Sequence, residues 1–331
     1  MDSTASSSIV FIVSQPRAGS TLLQTMLGGH RQVCAPGETW LMLPLVHALS
    51  GARRRVQTPY DTLLGDDALG EFVQTHLPRG WSDMQREMGL AARRLYDTAR
   101  QQENASVIID KTPRYYWIIE DLLALIPDCK VIILLRNPLA VLSSIIRTWT
   151  KPTRVGFLKD YRADLLEAPT RLAAAMSFDD PRITSIRYED LVSDPESRLI
   201  QLQQWIGVSP QEGLSRYRAD SSRTYGDPTG IHQSNTAQSD SLERYLNDAS
   251  SDASLWRLLD DYRITLGPDL MARLGYDSER LGQQLSNVRP SGTRIAPSLP
   301  LQVSPRPSEP KRSLIRLRRM AADRISRRKA A

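Results

Sequence analysis

Three short segments that are apolar and β-branched along nearly their whole length constrain the fold of this chain most strongly. They are residues 9–14 (IVFIVS), 107–110 (VIID) and 131–136 (VIILLR). Strands that are covered on both faces of a parallel sheet have this composition. Residues 183–188 (ITSIRY) form a weaker fourth candidate. The chain is therefore expected to contain a buried parallel sheet.

Helical patterns separate these strands. They cover residues 22–27, parts of 61–76, 82–102, 118–126, 138–149 and 196–206. Strands that alternate with helices predict a doubly wound α/β fold, here a P-loop-like three-layer fold with a central parallel sheet flanked by helices. With 331 residues, 40% of them apolar, the chain can bury a core without disulfides or metals. We expect one domain over residues 1–285.

The C-terminal part of the chain differs in composition from this domain. Residues 286–310 carry six prolines, which predicts an extended, disordered linker. Residues 311–331 carry nine Lys or Arg and one acid. Removing that net charge of +8 from the total of +6 leaves −2, so the basic character belongs to the tail.

The tail has apolar residues at helical spacing among arginines, at Leu314, Leu317, Ala321 and Ile325. A basic amphipathic segment of this kind can contact an anionic membrane surface or an acidic partner, and a disordered solvated tail is the alternative. No aromatic residues interleave the basic ones, so specific nucleic-acid binding is not expected.

The remaining features indicate a cytoplasmic protein. The N-terminus has no basic region before its apolar stretch, unlike a signal peptide, and no window approaches the ~20 apolar residues of a membrane helix. Cys34 and Cys129 form neither a disulfide framework nor a metal pattern. We expect the protein in the cytoplasm, with the tail as a peripheral contact to the membrane.

The first strand leads into a candidate phosphate loop. Residues 15–21 (QPRAGST) join a strand to a helix N-terminus, where free N–H groups and the helix dipole attract anions. Alignment with the pattern G-x-x-x-x-G-K-[ST] on Gly19 places Ser14 at the first glycine, Ser20 at the lysine and Thr21 at the magnesium ligand. The loop thus keeps a phosphate-binding shape without its lysine; an ordinary strand-to-helix turn is the alternative.

A second anion site is indicated at the end of the strand over residues 131–136. Arg136 ends this strand, Asn137 suits a helix N-cap and Pro138 the first helical position. Ser143 and Ser144 follow about two turns into the helix. A guanidinium at a strand end and a hydroxyl on the next helix can hold a phosphate.

Together these segments resemble the sulfotransferases that use 3′-phosphoadenosine-5′-phosphosulfate (PAPS), most closely the carbohydrate and tyrosylprotein branch. The resemblance rests on four motifs in the family's order. They are residues 16–22 (PRAGSTL), 110–113 (DKTP), 136–144 (RNPLAVLSS) and 187–191 (RYEDL), the last followed by Asp194-Pro195.

The resemblance implies PAPS as donor, 3′-phosphoadenosine-5′-phosphate (PAP) as product, and no metal. It assigns the 5′-phosphosulfate to Arg17, Ala18, Gly19, Ser20 and Thr21, the 3′-phosphate to Arg136 and Ser144, the adenine to Tyr188, and the bridging oxygen to Lys111. Fixed cations at the leaving oxygen stabilise the charge that develops in the transition state, which agrees with catalytic roles for Arg17 and Lys111.

The acceptor base is not the histidine of the cytosolic small-molecule sulfotransferases, because Pro113 takes its place. Residues 27–39 resemble instead the branches in which a glutamate is the base, which makes Glu38 the candidate. An idle first-turn carboxylate is the alternative for Glu38. The rivals for the base are the four histidines, His30, His47, His76 and His232.

Two other functions stay open at this stage. One is a P-loop-like kinase or nucleotidase, which is favoured by Asp110 at the end of a strand, where a magnesium ligand belongs. Against it, the loop of this chain has no lysine. A non-catalytic nucleotide-binding protein acting through its tail is the third possibility.

The acceptor of a sulfotransferase is also open: sugars, glycolipids, small alcohols, phenols and peptide tyrosine are all candidates, and the glutamate branch favours a sugar or glycolipid. Residues 225–232 resemble a loop that closes over the donor in bacterial members, and their Gly and Pro content suits a plain loop equally well.

Overall fold

Five parallel strands form the centre of the fold in a computed structural model that describes residues 8–49, 62–149, 161–217 and 242–291. They are β1 (Ile9–Ser14), β2 (Val33–Gly37), β3 (Val107–Lys111), β4 (Lys130–Leu135) and β5 (Ile183–Arg187). Their order in the sheet is β2-β3-β1-β4-β5. β1 is therefore central, and its neighbours β3 and β4 pair with it in parallel register, with Ile12 opposite Lys111 and Ser14 opposite Leu134.

The helices cover both faces of this sheet. They are α1 (Ser20–Gly28), α2 (Met42–Leu49), α3 (Thr62–His76), α4 (Trp81–Gln102), α5 (Ile119–Leu125), α6 (Pro138–Trp149), α7 (Ala168–Ala175), α8 (Tyr188–Ser193), α9 (Pro195–Ile206), α10 (Arg244–Ser251), α11 (Ala253–Arg273) and α12 (Ser278–Asn287). A 3₁₀ turn (Pro113–Trp117) and a π turn (Ala163–Glu167) lie between them.

Alternate residues of the strands point into two separate apolar cores, as the continuous apolar pattern requires. Phe11 and Ile133 face a core shared with α2, α4 and α5. Ile12 and Ile132 face a core shared with α1, α8 and α9. A third core joins α6 to α10, α11 and α12. The three-layer α/β fold expected from the sequence is confirmed.

The four predicted strands are present with ends that shift by at most one residue, and β2 was missed. β2 contains Pro36 and ends at Gly37, residues that are rare inside strands. It is an edge strand, which is the position where a proline is tolerated. This strand places Glu38, the candidate base, at the carboxyl ends of the strands.

The C-terminal predictions fall mostly outside the described residues. Helix α12 continues through residues 286 and 287, which the sequence assigned to the linker, and residues 292–331 with the basic tail are not described. Among the helices that the structure describes, none is long and apolar enough to span a membrane.

Candidate active site

Every strand of the sheet delivers part of one site at its carboxyl end. Glu38 follows β2, Lys111 is the last residue of β3, Arg136 follows β4, Tyr188 follows β5, and the loop over residues 15–19 follows β1. The carboxyl ends of parallel strands lie at the same edge of a sheet, where α/β proteins bind ligands. The strand order brings the Lys111, loop and Arg136 positions side by side.

The loop after β1 has a strained backbone. Arg17 has φ +72° and Gly19 has φ +100°, both in the left-handed region that costs a non-glycine residue free energy. Gly19 is the N-cap of α1, and no side chain caps this helix terminus within the described structure. Its first N–H groups therefore keep their capacity to bind an anion.

The predicted loop residues do not all face the same way. Ala18 is buried, and its N–H donates to the Gln15 carbonyl at 3.2 Å, so it closes the turn. Ser20 is also buried at the start of α1. Thr21 is partly exposed, and its Oγ1 accepts a hydrogen bond from Lys111 Nζ at 3.2 Å.

Tyr188 lies directly against this loop. A Cβ atom placed on Gly19 would be 2.4 Å from Cδ2 of the Tyr188 ring. The Arg136 guanidinium lies over the same ring, with Cζ 4.2 Å from its centroid, a favourable cation–π distance. The phenol ring is thus packed between the loop and the predicted 3′-phosphate arginine.

The two predicted phosphate sites are joined through Arg17. Its Nε donates to Ser144 Oγ at 3.3 Å, and its carbonyl oxygen accepts from Arg136 NH1 at 3.1 Å. Burial lowers the pKa of Arg136, opposed by Tyr188 and Glu189. Arg17, Arg136 and Ser144 therefore form one cationic cluster beside the N-terminus of α1.

The strand-to-helix turn after Arg136 has the predicted cap. Asn137 Oδ1 accepts from Leu139 N at 3.0 Å, and Pro138 begins α6. The Asn137 N–H donates to Glu189 Oε1 at 2.8 Å, and Glu189 Oε2 accepts from Tyr276 at 2.8 Å. These bonds fix the backbone that presents Arg136.

Lys111 connects the loop to the candidate base. Besides Thr21, its Nζ contacts Glu38 Oε1 at 2.7 Å. The Lys111 side chain is 1% exposed and that of Glu38 is 17% exposed. The pair therefore lies in a partly desolvated place, where a charge–charge contact is stronger than in water.

Beneath this pair lies a cluster of hydroxyl groups around Asp110 that the sequence did not reveal. Asp110 is fully buried, and its carboxyl accepts hydrogen bonds from Thr39 (2.5 Å), Tyr96 (2.6 Å), Tyr115 (2.9 Å) and Thr112 (3.0 Å). Burial raises the pKa of Asp110 and these hydrogen bonds oppose that rise. A carboxyl that is occupied in this way is unsuited to hold magnesium, which removes the main argument for a kinase.

Three of the four histidines that rival Glu38 as base lie among the described residues, and His30 is held by the backbone. His30 Nε2 contacts the Ser209 carbonyl at 2.8 Å and its Nδ1 accepts from Gln32 N at 3.0 Å, so both ring nitrogens serve the backbone. His76 packs against Phe72 on α3 in a tilted ring contact, and His47 lies on α2. His232 and the loop over residues 225–232 lie outside the described residues.

A parallel sheet of order 2-3-1-4-5, with a glycine-containing loop between β1 and an uncapped α1, defines a P-loop-like anion-binding fold. The chain belongs to the sulfotransferase family, whose sequence model matches residues 9–212. It is an enzyme that transfers a sulfuryl group. The family assignment decides against the kinase and non-catalytic alternatives.

Relatives and solved structures agree with this assignment. The chain is 25% identical over 311 residues to nodulation protein NoeE of Sinorhizobium fredii, covering 86% of this chain and 68% of the relative. It is 25% identical to carbohydrate sulfotransferase 1 of Danio rerio, covering 58% of this chain and 49% of that protein. It is 24% identical to protein-tyrosine sulfotransferase 2 of Gallus gallus, covering 81% and 69%. The sulfotransferase domain of the Synechococcus PCC 7002 olefin synthase shares the fold, with 24% identity, a TM-score of 0.50 and coverage of 77% and 94%.

Proposed function

We propose that this enzyme takes its sulfuryl group from PAPS and transfers it to a hydroxyl of a sugar or glycolipid, with Glu38 as base. The observation that carries the proposal is the position of Lys111 Nζ, which contacts both Thr21 of the phosphate loop (3.2 Å) and Glu38 (2.7 Å). A cation between an anion site and a carboxylate suits a reaction in which one oxygen gains charge and another loses a proton.

The residues at the sheet edge fit the donor. The uncapped N-terminus of α1 and Arg17 offer hydrogen-bond donors for the 5′-phosphosulfate, while Arg136 and Ser144 would hold the 3′-phosphate. Tyr188 lies between the two sites, at the place where the adenosine would approach. When bound, PAPS supplies an activated sulfuryl group whose leaving group is a phosphate oxygen.

The chain's own residues supply the remaining chemistry. Glu38 would accept the proton of the acceptor hydroxyl, so that the oxygen forms its bond to sulfur as a better nucleophile. Lys111 and Arg17 would stabilise the electron pair that returns to the phosphate oxygen when its bond to sulfur breaks. No step requires a metal ion.

The acceptor is proposed from the glutamate base and the character of the relatives. One relative is named as a carbohydrate sulfotransferase and another as a protein-tyrosine sulfotransferase, and the polar surroundings of Glu38 favour the sugar. The basic tail over residues 311–331 is proposed to bring the cytoplasmic enzyme to an anionic membrane or an acidic partner. Co-sedimentation of the full chain with phosphatidylserine vesicles, against phosphatidylcholine vesicles, tests that contact.

The activity is tested by incubating the full chain with PAPS, without magnesium, and a panel of methyl glycosides, phenols and a tyrosine peptide. We expect PAP to form, measured by chromatography, together with a sulfated glycoside, measured by mass spectrometry. Phosphorylation of an acceptor by ATP and magnesium, with no transfer from PAPS, would contradict the proposal.

A further inference from the structure

An exposed tryptophan stands beside the candidate base. Trp40 lies between β2 and α2, two residues after Glu38, and 37% of it is exposed. Its backbone has φ +56°, a left-handed conformation that is unfavourable for a bulky residue. Such strain persists only where the surrounding structure enforces it, and it concentrates at functional sites.

The surrounding structure does enforce this conformation. Three successive N–H groups donate to side chains of the Asp110 cluster: Trp40 to Thr112 at 3.3 Å, Leu41 to Thr39 at 3.1 Å and Met42 to Tyr115 at 3.0 Å. The turn that carries Trp40 is therefore anchored in the buried centre of the protein while the indole faces outward.

The indole ring is also held from its edge and its face. Its Nε1 donates to Glu38 Oε2 at 3.2 Å, and the Arg114 guanidinium lies 5.8 Å from the ring centroid. Arg114 is in turn fixed by a bidentate contact with buried Asp164, at 3.1 and 2.7 Å. The ring is thus a rigid aromatic surface with a carboxylate at its edge and a guanidinium over one face.

From this geometry we propose that Trp40 is the platform on which the sugar ring of the acceptor stacks, an inference that rests on the proposed function. An acceptor hydroxyl must come within about 3 Å of Glu38, and the indole is bonded to that same carboxylate. A hexopyranose has C–H groups on its faces, which suit an indole, and hydroxyls around its edge, which suit Glu38 and Arg114. A phenol would offer only one hydroxyl to Glu38 and Arg114.

The test compares Trp40→Ala and Trp40→Phe with the wild type. The acceptor probe is methyl β-D-galactopyranoside at saturating PAPS. We expect Trp40→Ala to raise the KM for the glycoside about tenfold, the size of a lost aromatic contact. Trp40→Phe keeps an aromatic face and loses the N–H donor to Glu38, so its KM should change less than threefold while kcat falls.

Trp205 provides the matched control. Like Trp40 it lies beside a cation, with Lys130 Nζ 5.3 Å from its ring. Lys130 begins β4, however, and so lies at the amino ends of the strands, away from the candidate site. Trp205→Phe should leave both constants unchanged. A readout that does not need turnover is saturation-transfer NMR of the glycoside with the PAP-loaded protein, in which Trp40→Ala should lose the signal of the ring protons.

The outcomes separate this inference from the proposed function. If the wild type binds PAP and sulfates the glycoside, but Trp40→Ala leaves its KM and NMR signal unchanged, the platform is wrong and the proposed function stands. If phenols or a tyrosine peptide accept sulfate and no methyl glycoside does, the proposed sugar acceptor is wrong, and the platform with it. Loss of PAP binding in Trp40→Ala would show a structural role and would also overturn the platform. Absence of PAP binding in the wild type would contradict the proposed function itself.

Discussion

Lys111 and Glu38 form a salt bridge of 2.7 Å across the ends of two neighbouring strands, β3 and β2. The lysine side chain is almost completely buried, so its charge is balanced locally by this carboxylate. The same Nζ contacts Thr21 at the start of α1. Lys111 therefore connects the N-terminus of α1 to the residue proposed as base.

Lys111→Ala should reduce kcat much more than donor binding. If Lys111 stabilises the leaving oxygen, its loss should lower kcat by roughly 10²-fold or more, while PAP affinity, measured by calorimetry, changes by only a few fold. Lys130→Ala is the control, because Lys130 begins β4, which is separated from β3 by β1, and so lies at the amino ends of the strands, away from the candidate site. Unchanged turnover in Lys111→Ala would contradict the assignment of the leaving-group site.

Glu38→Gln should abolish transfer and leave PAP affinity nearly intact. The amide keeps the size of the side chain but cannot accept the acceptor proton at neutral pH, and a loss of roughly 10²–10⁴-fold is expected for a general base. Single-turnover measurement with PAPS gives the rate of the chemical step. The exposed Glu120, in the first turn of α5, supplies the control variant Glu120→Gln. Full activity of Glu38→Gln would return the base role to another group.

Arg136→Ala should remove the preference for a 3′-phosphate. A charge-assisted hydrogen bond to phosphate is lost, so PAP should bind at least about tenfold more weakly, while ADP, which lacks that phosphate, should bind as before. Arg187→Ala is a suitable control because Arg187 also ends a strand but is paired with Asp190 at 2.8 Å. Equal weakening of PAP and ADP would mean that Arg136 only supports the fold.

Gly19→Ala should damage the loop for two separable reasons. The positive φ alone costs an alanine about 1–3 kcal/mol, and the new Cβ would also lie 2.4 Å from the Tyr188 ring. Urea unfolding should show a loss of stability, and calorimetry a loss of PAP binding. Adding Tyr188→Ala removes the clash and leaves the cost of the positive φ. The double variant should therefore lose less stability than the two single variants lose in sum. Strict additivity would contradict the contact.

Asp110 should make stability depend on pH. Burial, opposed by four hydroxyl donors, raises its pKa above the ordinary 3.8. The folded protein therefore keeps this proton to higher pH than the unfolded chain does. Its contribution to stability is complete below pH 3.8 and is lost as the pH rises through the folded pKa.

Asp110→Asn cannot titrate and should remove that slope. The measurement is the free energy of unfolding in urea at several pH values upward from 4, for wild type and variant. The free energy of unfolding of Asp110→Asn, minus that of the wild type, should increase as the pH rises. A difference that is constant across the range would contradict the raised pKa.

The sequence predicted the strands of the sheet well because their signal is local. Continuous β-branched segments such as residues 9–14 can be recognised without knowing their neighbours. β2 was missed because its Pro36 and Gly37 weaken the pattern, and only its place at the edge of the sheet makes them acceptable. The helices after residue 242 were not predicted either, and the longest of them is interrupted at Gly267-Pro268.

The candidate site was proposed from motifs, and the contacts between its residues were not predicted. Arg17, Arg136 and Ser144 were proposed from separate segments, and the structure brings them into direct contact. The strand order that makes this happen has no local signature. The Asp110 cluster and the Trp40 turn depend on contacts between residues that are distant in the chain, such as Thr39 with Asp110 and Trp40 with Thr112. No pattern in the sequence therefore predicts them.

The proposed function depends on the binding of a nucleotide with a 3′-phosphate through Arg136 and the loop after β1. Calorimetric titration of the purified full chain with PAP, without magnesium and beside ADP, tests it most directly. We expect micromolar binding of PAP and much weaker binding of ADP. No binding of PAP, or equal binding of ADP that appears only when magnesium is added, would contradict it.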